Sequence, residues 1–232
     1  ANAKLLNCPD GYYLKVTCFC DKQKTIPSVY EKIGIDMGIK SNLTLSNGLI
    51  FNASVQETDR LKKLQKQLEK KKKGSKNRNK QIKKIKVEYQ KITNLKNELA
   101  NKIFSQLNKY ELVVIQDEML SGWQSGLFGK QIQHSILGRI KTKIKEKALQ
   151  DKRFVIISKK YKTTQICSKC GKIHKMNLND RKYICECGNT IDRDLNSAIN
   201  ILKIGLEQIE YTPVEKQFVS KKQENTEFLT QC

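Results

Sequence analysis

The side chains best suited to chemistry crowd into one stretch near the C-terminal end, residues 167–200, which read CSKCGKIHKMNLNDRKYICECGNTIDRDLNSAIN. Cys167 and Cys170 are spaced C-x-x-C, and Cys185 and Cys187 follow as a tighter C-x-C pair. Gly171 and Gly188 come directly after the two pairs, where they let the backbone turn tightly and aim its amides at the sulfurs. Four thiolates at such spacing suit a tetrahedral structural zinc ion. Two reduced pairs or a disulfide are the competing readings; they are disfavoured because no signal peptide is visible. With four cysteines completing the site, His134 and His174 are not expected to be ligands.

A few residues later come two carboxylates, Asp192 and Asp194. Leu195, Ala198, Ile199 and Leu202 have the spacing of one helix face, so the pattern predicts a helix beginning near Asp192. Asp192 is the natural N-cap, its oxygens engaged by backbone N–H groups, which leaves Asp194 to face a site. Two further acids stand at strand signals. Asp36 lies inside the apolar run GIDMG, flanked by Gly34 and Gly38, which would let a ligand backbone approach; an acid in a turn after a short strand is the competing reading. At the end of the run LVVI stand Gln116, Asp117 and Glu118, of which Gln116 and Glu118 share a face.

The formal net charge is +22, and residues 60–86 hold 14 Lys and Arg against the single acid Glu69. That density predicts a surface for phosphate, formed by Lys70, Lys71, Lys72, Lys73, Lys76, Arg78, Lys80, Lys83 and Lys84, with a solvated coiled coil as the bland alternative. A membrane partner is disfavoured, because no run of about 18 apolar residues exists.

The elements that must position these groups can be read in order. Residues 12–20 (YYLKVTCFC) predict a strand that begins abruptly, its upstream partner sheet missing, with Cys18 and Cys20 as buried free thiols; Cys8 and Cys232 have no assigned role. Residues 32–51 predict a strand bearing Asp36, then two strands joined through Asn47-Gly48. Residues 56–107 predict a helical hairpin broken at Gly74-Ser75, with Leu61, Leu64 and Leu68 facing Ile82, Ile85, Tyr89, Ile92, Leu99 and Ile103. A strand then ends at the Gln116 acids. Next come a loop whose Trp123 or Phe128 could stack on a base or pack beneath it, a basic helix over 130–149, and a buried strand at 153–158. Three carboxylates on one edge of such a mixed sheet would form a two-metal Mg²⁺ site for phosphodiester hydrolysis.

GIDMG, the basic segment KKKGSKNRNKQ, the CSKCG and CECG pairs and DRDLNSAIN resemble the C-terminal half of the TnpB (OrfB) proteins of bacterial and archaeal insertion sequences, relatives of the miniature type V CRISPR effector nucleases. The resemblance spans residues 30–205. It implies an α/β RuvC-like nuclease of the RNase H-like fold, interrupted by a zinc ribbon, that cleaves DNA selected by a bound guide RNA, cytoplasmic and nucleoid-associated. It places Asp36 and Asp194 at the first and last catalytic aspartates. The middle acid departs from the common Glu-Asp-Leu pattern, since Gln116 fills the glutamate position; Glu118 is expected to replace it, ahead of Asp117.

The implied organisation is a remnant of an N-terminal β domain (1–29), a nuclease core (30–162) with the hairpin inserted at 56–108, a zinc ribbon (163–190), the last core helix (191–207) and a polar tail (208–232). A start at Ala1 and the missing N-terminal half lead to the expectation of a fragment or a truncated descendant. If the middle acid is lost, the alternative function is a catalytically inactive DNA- or RNA-binding module.

Overall fold

The structure, a computed structural model, describes residues 2–19, 28–177 and 179–211. The chain divides into two compact units, each assembled from separate segments.

The first unit comprises residues 1–30, 51–110 and 119–146. Its strands β1 (Asn2–Cys8) and β2 (Gly11–Thr17) form an antiparallel hairpin running from the Asn2–Thr17 pair to the Cys8–Gly11 pair. The strand expected at 12–20 thus has its partner within the chain. NAKLLNC does not alternate, so periodicity gave no sign of β1. Cys18 is exposed, not a buried thiol; Cys20 and Cys232 lie outside the described residues.

Helices α1 (Asp59–Glu69) and α2 (Lys76–Leu107) follow. Each starts on a hydroxyl cap: Thr58 accepts from the Leu61 N–H and Ser75 from the Arg78 N–H, both at 3.1 Å. Leu61, Ile85 and Ile92 form their seam, with Val55, Leu64 and Leu68 against it. The buried stripe of α2 is rotated from the expected apolar face. It includes Gln81, Glu88 and Lys96, while Tyr89 stays 39% exposed. Each of these polar groups is satisfied: Gln81 donates to the Leu64 carbonyl, Glu88 pairs with Arg60 and Lys91, and Lys96 donates to the Gln133 carbonyl.

The loop expected after residue 120 contains the short helix α3 (Leu120–Ser125). The single basic helix expected over 130–149 is two, α4 (Gly129–His134) and α5 (Leu137–Ala148). The break falls at Ser135, whose backbone is extended and whose hydroxyl accepts from the Leu137 N–H.

The second unit comprises residues 31–50, 111–118 and 147–232. Strands β3 (Ile33–Met37), β4 (Leu43–Leu45), β5 (Ile50–Phe51), β6 (Val113–Gln116) and β7 (Phe154–Ile157) form a sheet in the order β5-β4-β3-β6-β7. β4 is antiparallel to β3, whereas β3, β6 and β7 are parallel, so the sheet is mixed. A hairpin of β8 (Lys182–Ile184) and β9 (Thr190–Asp192) leads into α6 (Arg193–Tyr211), which runs four residues past the expected boundary at 207.

α6 lies on the sheet, where Ile201 joins Leu112, Val114 and Ile157 in the core. The approach is at backbone distance. A Cβ on Gly34 would stand 2.2 Å from the Ala198 carbonyl oxygen and 2.7 Å from the Leu202 nitrogen, and one on Gly205 would stand 2.4 Å from a Val114 methyl. Gly34 therefore admits the chain's own helix and not a ligand. Gly34→Ala is expected to destabilise the fold by roughly 3 kcal/mol, because the clash is with backbone that cannot rotate away. Urea melts within about 0.5 kcal/mol of wild type would show that the close approach does not exist.

Candidate active site and metal centre

β3 and β6 are parallel neighbours in register from Ile33–Val113 to Ile35–Ile115, so their C-terminal ends share one edge of the sheet. Asp36 is the last but one residue of the first strand and Gln116 ends the second, with Asp117 and Glu118 beyond. α6 supplies Asp194 from its first turn. Asp192 caps that helix, its Oδ1 accepting from the backbone N–H groups of Asp194 at 2.9 Å and Leu195 at 3.1 Å. Asp194 is contacted instead by the Arg193 guanidinium at 3.3 Å.

These positions couple three acids. Burial, with the charges of Asp194 and Glu118, pushes the Asp36 carboxyl up to about 7, against the opposing Ser197 hydrogen bond and Arg193 charge. Thr44, the register partner of Asp36 across the β3–β4 pair, has a buried hydroxyl oxygen with no hydrogen-bond partner in the protein. These half-buried carboxylates and the unsatisfied hydroxyl are oxygen donors of the kind a hydrated hard cation takes, although among the described residues only the four cysteines have ligand atoms all within 4.8 Å of one another.

Sequence reasoning missed the hydroxyls and amides around these acids. Ser197 donates to Asp36 Oδ1 at 2.8 Å. The Ser197 hydroxyl also lies 3.0 Å from that of Thr163, which donates to Gln116 Oε1 at 2.8 Å. Asn196 and Asn200, one turn apart on α6, bind the segment that enters the cysteine cluster. Asn196 accepts from the Ser168 N–H and donates to the Ile166 carbonyl, and Asn200 donates to the carbonyls of Thr163 and Ile166. Lys203 extends the row to the Ser168 carbonyl. The i, i+4 spacing of Asn196 and Asn200 inside an apolar helix pattern was the available signal.

The four cysteines form one cluster whose sulfurs all lie within 4.8 Å of one another. Cys167 and Cys187 are 3.7 Å apart, and Cys170 and Cys185 are 3.6 Å apart. A tetrahedron with Zn–S bonds of about 2.3 Å has edges of roughly 3.8 Å, so the cluster fits zinc. Gly171 and Gly188 adopt φ of +76° and +81°, the turn conformation that the pairs require. The Asn189 amide donates to the Cys167 sulfur at 3.4 Å. Although burial opposes it, the Cys167 thiol is held down to about 6 by the backbone N–H of Cys170, the Asn189 amide and the Lys169 N–H. His174 lies 3.4 Å from the Cys185 sulfur, beside the cluster and not within it.

The basic positions expected to meet phosphate lie at the α1–α2 turn and along the start of α2, in the first unit. Lys70, Lys72, Lys73, Lys76, Lys80, Lys83 and Lys84 are exposed, and Lys71 is half-buried. Arg78 is engaged structurally, donating to the Leu68 and Lys71 carbonyls at the end of α1 at 2.8 and 3.3 Å. Trp123 is half-buried and Phe128 is 49% exposed.

Two outcomes follow for the purified chain. Titrating the thiols with a mercurial should release one zinc per chain, with Cys185→Ser releasing none; a chain with no bound metal after purification in zinc-containing medium would exclude the cluster as a zinc site. The Asp36 shift also has a sign. Its folded pKa lies above the unfolded value near 4, so the metal-free fold is most stable below pH 4 with respect to this group and loses that stability as pH rises to about 7. Asp36→Asn should therefore raise the stability of the metal-free chain by on the order of 2 kcal/mol at pH 8 and much less at pH 5. Equal gains at both pH values would contradict the raised pKa.

Comparison with known proteins adds to this geometry. A family model described as "Probable transposase" (OrfB_IS605) matches residues 17–117, and one described as "Cas12f1-like, TNB domain" matches residues 138–201. The first match includes Asp36 and the second includes the four cysteines and Asp194, while Glu118 falls one residue beyond the first. The chain is 32% identical over 199 residues to a "Putative RNA-guided DNA endonuclease" of Streptomyces pristinaespiralis, an alignment covering 82% of this chain and 50% of that protein. It is 26% identical over 216 residues to the Escherichia coli "Putative RNA-guided DNA endonuclease InsQ", covering 84% of this chain and 54% of that one. A solved structure, "Cryo-EM structure of the Cas12f1-sgRNA-target DNA complex", aligns over 86% of this chain and 55% of its own at 23% identity and a TM-score of 0.42. The chain thus spans about half the length of the curated relatives it matches. The chain is thus similar to the TnpB (OrfB) family of insertion-sequence proteins.

Proposed function

We propose that this chain carries the RuvC-like, RNase H-type nuclease core of an RNA-guided DNA endonuclease and hydrolyses DNA phosphodiesters. The observation that carries the reading is the coupling of Asp36 to both Glu118 and Asp194. In this reading Asp36, Glu118 and Asp194 hold divalent metal, with Mg²⁺ as the physiological ion. Bound there, the metal would activate a water and stabilise the leaving oxygen. The protein's own part is to fix the carboxylates: β3 and β6 present two from one sheet edge, and the Asp192 cap sets the first turn of α6 and with it the third. Arg193 and Ser197 offset the repulsion among them. The exposed lysines of the α1–α2 turn would neutralise phosphates of DNA or guide RNA without reading sequence. The partners are thus DNA and RNA. Among the described residues no helix is long and apolar enough to cross a membrane.

Cleavage of end-labelled single-stranded DNA, with Mg²⁺ or with EDTA, tests the assignment. Asp36→Asn, Glu118→Gln and Asp194→Asn should each reduce cutting by at least about 100-fold with DNA binding retained, whereas Asp117→Asn should stay within about threefold of wild type. Loss in Asp117→Asn with retention in Glu118→Gln would reassign the middle acid. Binding without metal-dependent cutting by any form, including one supplied with guide RNA, would instead identify an inactive nucleic-acid-binding module.

A further inference from the structure

Gln116 stands where the common family pattern has a glutamate, which invites the view that a metal ligand has been vacated. Its surroundings argue otherwise. The side chain is 4% exposed, and its Nε2 donates to the carbonyls of Ser158 at 3.2 Å and Tyr161 at 2.7 Å. Carbonyls only accept, so these two partners fix the orientation of the amide. Oε1 must then face Thr163, and the single Thr163 hydroxyl proton is committed to it. The Ser197 proton goes to Asp36 Oδ1, a stronger acceptor than a hydroxyl, and the Thr163 oxygen bounds the other side of the Ser197 oxygen at 3.0 Å. Thr163 and Ser197 are 2% and 0% exposed, so no bulk water competes for these bonds.

We propose that Gln116 is a positioning residue and not a lost ligand: its amide holds Thr163 against Ser197, the residue that donates to Asp36, and so keeps the Asp36 carboxylate placed for a divalent cation, and an acid at position 116 cannot take its place. A glutamate there would set a carboxylate oxygen against the Ser158 and Tyr161 carbonyls, with no proton to offer when ionised. The same amide ties the end of β6 to the segment entering the cysteine cluster, so one side chain holds a catalytic strand, that segment and Asp36 in register.

The inference rests on the metal-site reading above, and Mn²⁺ binding followed by calorimetry, with thermal melts of the same full chain at pH 8, separates the two. Ser197→Ala should melt within a few degrees of wild type yet bind Mn²⁺ about fivefold more weakly. Thr163→Val should both melt lower and bind more weakly, and Thr163→Ser should restore both. Gln116→Glu should melt at least about 4 °C lower with no gain in Mn²⁺ affinity. Tighter Mn²⁺ binding by Gln116→Glu at an unchanged melting temperature, or wild-type affinity in Ser197→Ala, would overturn the proposal. A wild-type chain that binds no Mn²⁺ sensitive to Asp36→Asn would overturn the metal reading and with it the positioning of Asp36, leaving the Gln116→Glu and Thr163 melts to judge the amide clamp by itself.

Discussion

The second unit depends on a contact between two backbones, the seating of α6 on β3 at Gly34. Any side chain at that position would collide with the Ala198 carbonyl. Without one, the helix sits low enough for a serine, whose hydroxyl is one bond beyond Cβ, to reach an aspartate on the sheet. A helix riding on ordinary core side chains would leave that gap unbridged. The catalytic reading thus rests on a packing feature that carries no chemistry of its own. Gly205 repeats the device further along α6, against Val114 of β6, so the helix is levelled over both strands that end in candidate ligands.

Seating an acid-bearing helix turn over acid-bearing strand ends has an electrostatic cost. Burial and two neighbouring carboxylates raise the Asp36 carboxyl to about 7, so its ionised form is unfavourable to the metal-free fold and favourable to any cation that enters. Arg193 offsets it locally. Much of the chain's net charge of +22 lies instead on the α1–α2 hairpin of the first unit. On the proposed reading the two places suit different ligands, small hard cations at the acids and polyphosphate at the hairpin.

Features set by local chain chemistry were legible in the sequence. Cysteine spacing, the glycines after each pair, the Asp192 cap and the apolar period of α6 all depend on residues within a few positions of one another. What escaped was set by partners. β1 breaks its alternation at Leu5-Leu6, and its pairing with β2 is what marks it as a strand. The α2 seam accepts Gln81, Glu88 and Lys96 because α1 and the 133–135 segment supply partners for them, and no helical period could report that. Gln116 looked like a defect for the same reason: its partners lie more than forty positions away, at Ser158, Tyr161 and Thr163.

The position of the cysteine cluster in the chain gives the network its last physical requirement. Between the end of β7 and the start of α6 the chain adds little to the sheet core, and a loop of that length without internal structure would leave Thr163 free to wander. The thiol cluster closes the loop on itself, and Tyr183, fully buried beneath it, donates to the Gln165 and Lys172 carbonyls. Residues 163–168 then present fixed carbonyls and a fixed hydroxyl to Asn196, Ser197 and Asn200 on α6. On this view the ribbon's role extends beyond any nucleic acid it meets: its folding makes the Thr163 hydroxyl a dependable partner for Gln116 and sets it against Ser197, whose hydroxyl donates to Asp36.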